Sequence, residues 1–172
     1  MGLQPLETER LVLTPLSLEL VDALSDRPAA ERLLGARIPD GFPDAELGGF
    51  LPLYERALRA DPSQLGYGPW LAVLRDEGVL VANAGFIGKP SADGSIELGY
   101  GTEPDRRNRG YASEAAAALV AWGLQQPEVE KVVSRCDPGN AASIRVLEKT
   151  GLRRCGEADG MLAWELLASP RD

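Results

Sequence analysis

Residues 104–112, Pro-Asp-Arg-Arg-Asn-Arg-Gly-Tyr-Ala, decide the fold of this chain. They follow a predicted strand at Ile96–Gly101 and lead into the first residues of a predicted helix at Tyr111–Gln125. A loop that leads into a helix N-terminus presents unpaired backbone N–H groups and the positive end of the helix dipole, which together bind phosphate. Gly110 and Ala112 would let an anion approach those amides, and the arginines would add charge-assisted contacts. The stretch predicts a pyrophosphate cradle, with a surface turn of solvated arginines as the alternative.

The pattern on either side of this stretch alternates between strand and helix periods. Upstream, it predicts a strand at Arg10–Thr14, helices at Leu18–Leu24, from Pro28 to near Gly35 and at Asp44–Ala60, and an antiparallel meander of Trp70–Leu74, Val79–Ile87 and Ile96–Gly101. Downstream, it predicts a strand at Val129–Cys136, a helix at Asn140–Thr150 and a hairpin of Leu152–Cys155 with Met161–Leu167. A length of 172 residues suits a single domain over 1–172. We expect an α/β (α+β) fold whose central sheet is largely antiparallel, with six or seven strands and helices on both faces.

The composition excludes several classes of enzyme. The chain has no histidine, which removes Ser-His-Asp triads, Cys-His proteases, histidine zinc sites and base catalysis by imidazole. Its two cysteines are too few for a disulfide framework or a four-cysteine zinc site, so we expect no metal and a reducing compartment. A net charge of -8 would repel nucleic acid. Without an apolar run of membrane-spanning length or a signal-peptide pattern, the sequence predicts a cytoplasmic protein with no membrane partner.

Four motifs together carry a resemblance to a known family. Arg107–Ala112 matches the Arg/Gln-x-x-Gly-x-Gly/Ala signature of the GNAT superfamily of acetyl-CoA-dependent N-acetyltransferases. Leu6–Leu11, Glu97–Tyr100 and Asp137–Leu152 resemble the flanking sequences of the RimJ/RimL branch of that superfamily. Because the four motifs occur in the right order and cover nearly the whole chain, the resemblance implies the mixed sheet of that family.

The resemblance also implies a cofactor site for acetyl-CoA. The backbone amides that would hold the pyrophosphate belong to Arg107, Asn108, Arg109, Gly110, Tyr111 and Ala112. The pantetheine arm would run beside the strand end formed by Tyr100, Gly101 and Thr102, where the strand Glu97–Thr102 splays from Val132–Cys136. In this family the acetyl group passes directly to an amine without an acyl-enzyme, which fits the absence of an activated nucleophile here.

Asn140 and Ser143 are three residues apart, so they share a face at the N-terminal end of a predicted helix. By the resemblance, Asn140 would hydrogen-bond the pantetheine and Ser143 would donate a proton to the departing thiolate. In the alternative, the two residues only cap the helix. Many GNAT enzymes carry a tyrosine general acid near this point, and this chain has Leu147 at the matching position.

The acceptor amine must lose a proton before it attacks, and Glu97 is the first candidate for the base. In strand alternation Glu97 points opposite Leu98, so it would face the acceptor cleft. An α-amino group with a pKa of about 8 needs less help than a lysine near 10.4. The alternative is a glutamate on the solvated face of a strand.

These features predict an enzyme that transfers acetyl from acetyl-CoA to a primary amine, first of all a protein or peptide N-terminus. Small-molecule amines such as antibiotics, polyamines or amino acids come next, and a non-catalytic acyl-CoA sensor is the competing class. The acceptor loops are expected at 36–49 and 63–68. Homodimers are common in the family, but the oligomeric state stays open.

Overall fold

The computed structural model describes residues 2–172. Within them, one eight-stranded sheet runs through the centre of the molecule. Its strands are β1 Leu6–Glu7, β2 Leu11–Pro15, β3 Pro69–Leu74, β4 Val79–Phe86, β5 Ser95–Thr102, β6 Lys131–Cys136, β7 Arg153–Ala158 and β8 Met161–Leu167. They lie in the order β1-β2-β3-β4-β5-β6-β8-β7, and every neighbouring pair is antiparallel except β5 and β6. The predicted mixed, largely antiparallel sheet is therefore confirmed.

Five α-helices cover the two faces of this sheet. They are α1 Leu18–Ala23, α2 Arg27–Leu34, α3 Ala45–Ala60, α4 Tyr111–Gln125 and α5 Ala141–Lys149. The hydrophobic cluster on one face joins the sheet to α4 and α5, and the cluster on the other face joins it to α1, α2 and α3. Alanine-rich α4 lies close to the sheet, because a Cβ on Gly123 would come within 2.7 Å of Ile96 Cδ1. Its buried alanines, Ala115 and Ala116, leave no side-chain bulk to hold it away.

The one parallel strand pair opens along its length. β5 and β6 pair only at Ser95–Lys131, Ile96–Val132 and Glu97–Val133. Beyond that point Ser134 Oγ donates to Leu98 O over 2.9 Å, and the ends of the two strands have no ladder hydrogen bonds between them. The predicted splay between these strands is therefore present, and it lies directly beside the loop that leads into α4.

The structure corrects several details of the expected elements. The sheet has eight strands rather than six or seven, because Leu6–Glu7 pairs with Val12 and Leu13; two residues are too few to show a period in sequence. The penultimate strand begins at Arg153 and runs to Ala158, past the predicted end at Cys155. The helix predicted to begin at Asn140 begins at Ala141. Pro52 lies inside α3 without ending it, because Leu47 and Tyr54 bury the helix on both sides of the proline.

Candidate active site

The loop between β5 and α4 has a backbone that only certain residues adopt easily. After a 3-10 turn at Pro104–Arg106, Asn108 and Gly110 take left-handed conformations with φ of 61° and 81°. Asparagine and glycine are the residues that enter this region at least cost. The two left-handed residues turn the chain into the first turn of α4, with Gly110 at the N-cap position.

The N-terminus of α4 has no side-chain cap. By contrast, Ser17, Asp44 and Asn140 each accept a hydrogen bond from a first-turn amide of their own helices. The first amides of a helix have no partner within the helix. Those of α4 are therefore open to an anion, as the sequence predicted for the cradle.

Not all three arginines of the loop are free to meet that anion. Arg106 Nη1 lies 2.7 Å from Glu77 Oε2, and the Arg106 side chain is 15% exposed. Arg107 and Arg109 are exposed and make no ion pair within residues 2–172. Two cations of the predicted three are thus available to a phosphate group.

A link between β2 and α4 that sequence reasoning missed holds the cradle in place. Arg10 Nε and the Arg10 amide each lie 2.7 Å from a carboxylate oxygen of Glu114, and Thr8 Oγ1 donates to Glu114 over 2.6 Å. Arg10 Nη1 also donates to Arg109 O over 2.9 Å, and its guanidinium lies 4.6 Å from the centre of the Tyr111 ring. Burial alone would raise the pKa of Glu114, but the hydrogen bonds from Thr8 and Arg10 outweigh it and lower the pKa. A single, partly buried carboxylate therefore ties the first turn of α4 to the turn between β1 and β2.

The second group of predicted residues meets across the splay. Tyr100 Oη donates to Ser143 O over 3.3 Å, which joins β5 to α5. Asn140 Oδ1 accepts from Ser143 N over 3.0 Å, so Asn140 is the N-cap of α5, the alternative role that the sequence left open. Asp137 Oδ1 instead accepts from Gly139 N over 2.7 Å. Burial raises the pKa of Tyr100, so its hydroxyl stays protonated at neutral pH.

Leu147 is fully buried in the core between α5 and the sheet. The position where many enzymes of the family carry a tyrosine acid therefore serves packing in this protein. Tyr100 and Ser143 are two hydroxyl-bearing residues that the structure brings together beside the splay.

A cavity of about 280 Å³ lies between the N-terminal half of α3 and strands β4 and β5. Its lining consists of Asp44, Glu46, Leu47, Phe50, Pro69, Asn83, Ala84, Gly85, Phe86, Ile87, Gly99, Tyr100 and Gly101. The predicted acceptor segment 36–49 contributes to this lining, whereas the predicted segment 63–68 does not. The cavity and the splay share one residue, Tyr100.

Glu97 lies on the side of β5 that alternation predicted, opposite buried Leu98. Its Oε1 atom lies 3.2 Å from Arg135 Nε, in a pair whose side chains are 32% and 56% exposed. Glu97 is not among the residues that line the cavity; Gly99, two residues further along the same face, is. The carboxylates that line the cavity, Asp44 and Glu46, carried no signal in the sequence pattern.

Within residues 2–172 no group of three or more His, Cys, Asp or Glu residues is arranged to hold a metal ion. In the same part of the chain, none of the helices has the length and apolar character needed to span a bilayer.

Comparison with known proteins identifies the family. Residues 10–153 match the model of the acetyltransferase (GNAT) domain. The uncharacterized N-acetyltransferase YjdG of Bacillus subtilis is 33% identical over 147 residues, which span 85% of this chain and 88% of that protein. A solved acetyltransferase of Agrobacterium tumefaciens has the same fold, with a TM-score of 0.66, 24% identity and coverage of 96% of this chain and 95% of its own.

RimL, a ribosomal-protein alpha-N-acetyltransferase solved in complex with coenzyme A, also shares the fold. Its TM-score is 0.66 at 15% identity, over 95% of this chain and 98% of the RimL chain. The family model and the similarity to YjdG both cover most of the chain. The chain therefore belongs to the GNAT family of acetyltransferases.

Proposed function

We propose that the protein transfers the acetyl group of acetyl-CoA to a primary amine, and that a protein or peptide N-terminus is the first class of acceptor. The observation that carries the proposal is the uncapped N-terminus of α4 beside the β5–β6 splay, with a cavity on the other side of β5. RimL, whose fold this chain shares, acts on the α-amine of a ribosomal protein and was solved with coenzyme A. That likeness supports the choice of acceptor class.

The described residues fit the cofactor that the family implies. The free amides from Arg107 to Ala112 face a space that no side chain caps, and Arg107 and Arg109 would neutralise a pyrophosphate. Tyr100, Gly101 and Thr102 would flank the pantetheine arm along the open end of β5. Asn140 would bind it through Nδ2, since its Oδ1 caps α5. When bound there, acetyl-CoA supplies the activated thioester.

The chain itself would handle two protons. Glu97 is the proposed base for the acceptor ammonium: Oε1 is paired with Arg135, and Oε2 has no partner within residues 2–172, so it can take a proton through a water molecule. Ser143 is the proposed donor to the thiolate that leaves, and its hydroxyl has no hydrogen bond in the same part of the chain. Cys136 is 4% exposed, which leaves no accessible thiol at the splay for an acyl-enzyme. We also propose that the protein works in the cytoplasm, where free cysteines such as Cys136 and Cys155 persist.

A non-catalytic acyl-CoA sensor is the second candidate, and buried Leu147 in the place of the tyrosine acid favours it. One experiment separates the two functions. The protein is titrated with acetyl-CoA, and thiol release is then followed over a panel of peptides, polyamines, aminoglycosides and amino acids, with mass spectrometry of the products. Turnover on peptide N-termini supports the proposal. Turnover on small amines alone would change the acceptor class to small-molecule amines, and tight binding of acetyl-CoA without turnover would show that the protein is a sensor.

A further inference from the structure

The cavity beneath α3 exists because its floor lacks side chains. Asn83 pairs with Gly101 and Gly85 with Gly99 across β4 and β5, so these four residues place their side-chain positions on one face of the sheet. A Cβ on Gly99 would meet no atom within 4 Å. Three of the four positions facing α3 are therefore glycine. The space over Gly99 is open to a ligand, whereas the Gly68 carbonyl covers Gly85, where a Cβ would clash with that oxygen.

Polar atoms converge over one end of that floor. Asp44 Oδ1 caps α3 by accepting from Leu47 N over 2.8 Å, which leaves Oδ2 unused. A Cβ built on Gly101 would lie 3.3 Å from Asn83 Nδ2 and 3.8 Å from Asp44 Oδ2. The capping bond fixes the rotamer of Asp44, so its second oxygen points over the cavity floor independently of any ligand.

The charge at this end is negative. Asp44 and Glu46 line the cavity, and no lysine or arginine does. Glu103, which follows β5, is 7% exposed and its carboxylate has neither a hydrogen bond nor an ion pair within residues 2–172. Burial and then the charges of Asp44 and Asp105 raise the pKa of Glu103, and Arg107 opposes them. A cation placed beside Asp44 would relieve this repulsion, whereas an anion placed there would add to it.

The remaining walls are apolar. Leu47 and Phe50 line the cavity, and Ile87 lines it while 56% exposed. Apolar area at the mouth of a small cavity suits an acceptor with an aliphatic or aromatic group beyond its amine.

We propose that this cavity is the acceptor subsite and that Asp44 is its specificity-determining residue, selecting amines that carry an apolar group and no carboxylate next to the amino group. The inference rests on the proposed function and narrows it: a peptide N-terminus, in which an amide follows the α-carbon, fits the subsite, and the corresponding free amino acid does not. The ammonium lies between Asp44 Oδ2 and Asn83, and the free α-carboxylate of an amino acid would approach Asp44 at close range.

Leucinamide and leucine test this selection, because they differ only in the carboxyl group. We expect kcat/KM for leucinamide to exceed that for leucine, and Asp44→Asn to reduce the ratio by roughly tenfold as like-charge repulsion is removed. The pKa of the free amine in each compound does not depend on the enzyme. A difference between wild type and Asp44→Asn in the ratio of the two kcat/KM values therefore comes from the cavity alone. Asparagine also caps helices well, which keeps α3 in place.

Asp76→Asn is the matched control: the substitution removes the same charge, and Asp76 lies exposed in the β3–β4 turn. It should leave the ratio unchanged. An Asp44→Asn ratio equal to that of the wild type overturns the inference, while acetyl transfer itself continues. If no amine is acetylated, the proposed function fails, and calorimetric titration of leucinamide and leucine then decides the inference: equal binding of both compounds overturns it.

Gly99→Val gives a second test that does not depend on charge. Valine suits a strand, and since a Cβ on Gly99 would meet no atom within 4 Å, its side chain can extend into the cavity. We expect KM for leucinamide to rise about tenfold or more with unchanged affinity for acetyl-CoA, since the pocket loses its apolar contact area. An unchanged KM would place the acceptor elsewhere.

Discussion

The N-termini of α3 and α4 lie on opposite faces of the sheet and are built in opposite ways. α4 begins after left-handed Gly110 with its amides uncapped, whereas Asp44 caps α3 by accepting from Leu47 N and leaves its second oxygen over the cavity. The first arrangement presents positive charge and the second presents negative charge. A helix N-terminus can therefore favour an anionic or a cationic ligand, depending on a single capping residue. In this protein α4 would receive the anionic cofactor and α3 the cationic acceptor.

The largest expected effect comes from blocking the α4 end. Gly110→Val places a branched side chain at a φ of 81°, where its Cβ would lie 3.3 Å from Arg10 Nη2 and its bulk would cover the amides. We expect the dissociation constant for acetyl-CoA to rise by about 100-fold, since several charge-assisted hydrogen bonds are lost. Calorimetric titration measures it. Gly160→Val carries similar backbone strain at a φ of 75° in the β7–β8 turn, and should bind acetyl-CoA normally. Equal affinity in the Gly110 variant and the wild type would remove the cradle from α4.

On the acceptor side, Glu97→Gln keeps the size of the side chain and removes the base. Turnover should fall by about 10² with unchanged acetyl-CoA affinity, and less for acceptors of low pKa, which are already partly neutral. Ser143→Ala should lower turnover by a similar factor for every amine, because the leaving thiolate is always the same. Initial rates across the amine panel distinguish the two patterns. Full activity of the Glu97 variant would mean that this carboxylate serves only its ion pair with Arg135.

The hydrogen bonds that Glu114 accepts from Thr8 and Arg10 can be weakened without changing a residue of the proposed ligand site. Glu114→Gln should lower the free energy of unfolding by about 2 kcal/mol, because hydrogen bonds from Thr8 and Arg10 then meet a neutral acceptor. The folded-state pKa of Glu114 lies below its usual value of 4.5. The stabilisation is therefore complete at neutral pH and is lost as the pH falls through the folded-state pKa. Urea unfolding at pH 7 and near pH 3 measures it, and a difference between wild type and variant that stays constant with pH would contradict the assignment.

The smallest expected effect concerns charge at the α4 end. Arg107→Ala removes one exposed cation without filling space, so affinity for acetyl-CoA should fall by roughly three- to tenfold at low salt. The loss should shrink as salt rises, because exposed charges are screened. Arg32→Ala, an exposed arginine on α2, is the control. A loss that does not change between low and high salt would show that Arg107 acts through packing instead of charge.

Local signals were enough to predict most of the fold. Strand and helix periods, turn residues and caps placed seven of the eight strands and all five helices within a few residues. The turn at 107–112 was predictable because a left-handed glycine before a helix is a local requirement of the backbone, and its role as a pyrophosphate cradle stays a prediction. The resemblance to the GNAT family then supplied the cofactor.

Apart from the predicted segment 36–49, the lining of the cavity was beyond sequence reasoning because its parts are distant in the chain. Asp44 and Gly101 meet only when α3 packs across β4 and β5, and the cavity between them follows from that packing. The sequence predicted the side of β5 on which Glu97 lies. It showed neither the ion pair of Glu97 with Arg135 nor its position outside the cavity lining.

The order of elements, the family and the left-handed turn before α4 could be predicted from the amino-acid sequence alone, since each depends on neighbouring residues and on the conformations they allow. Only the tertiary structure decided which carboxylates face the cavity, and that Arg10 and Glu114, 104 residues apart, hold α4 to the sheet. Such contacts have no periodic signal along the chain, because they depend on how strands pair and how helices pack over them.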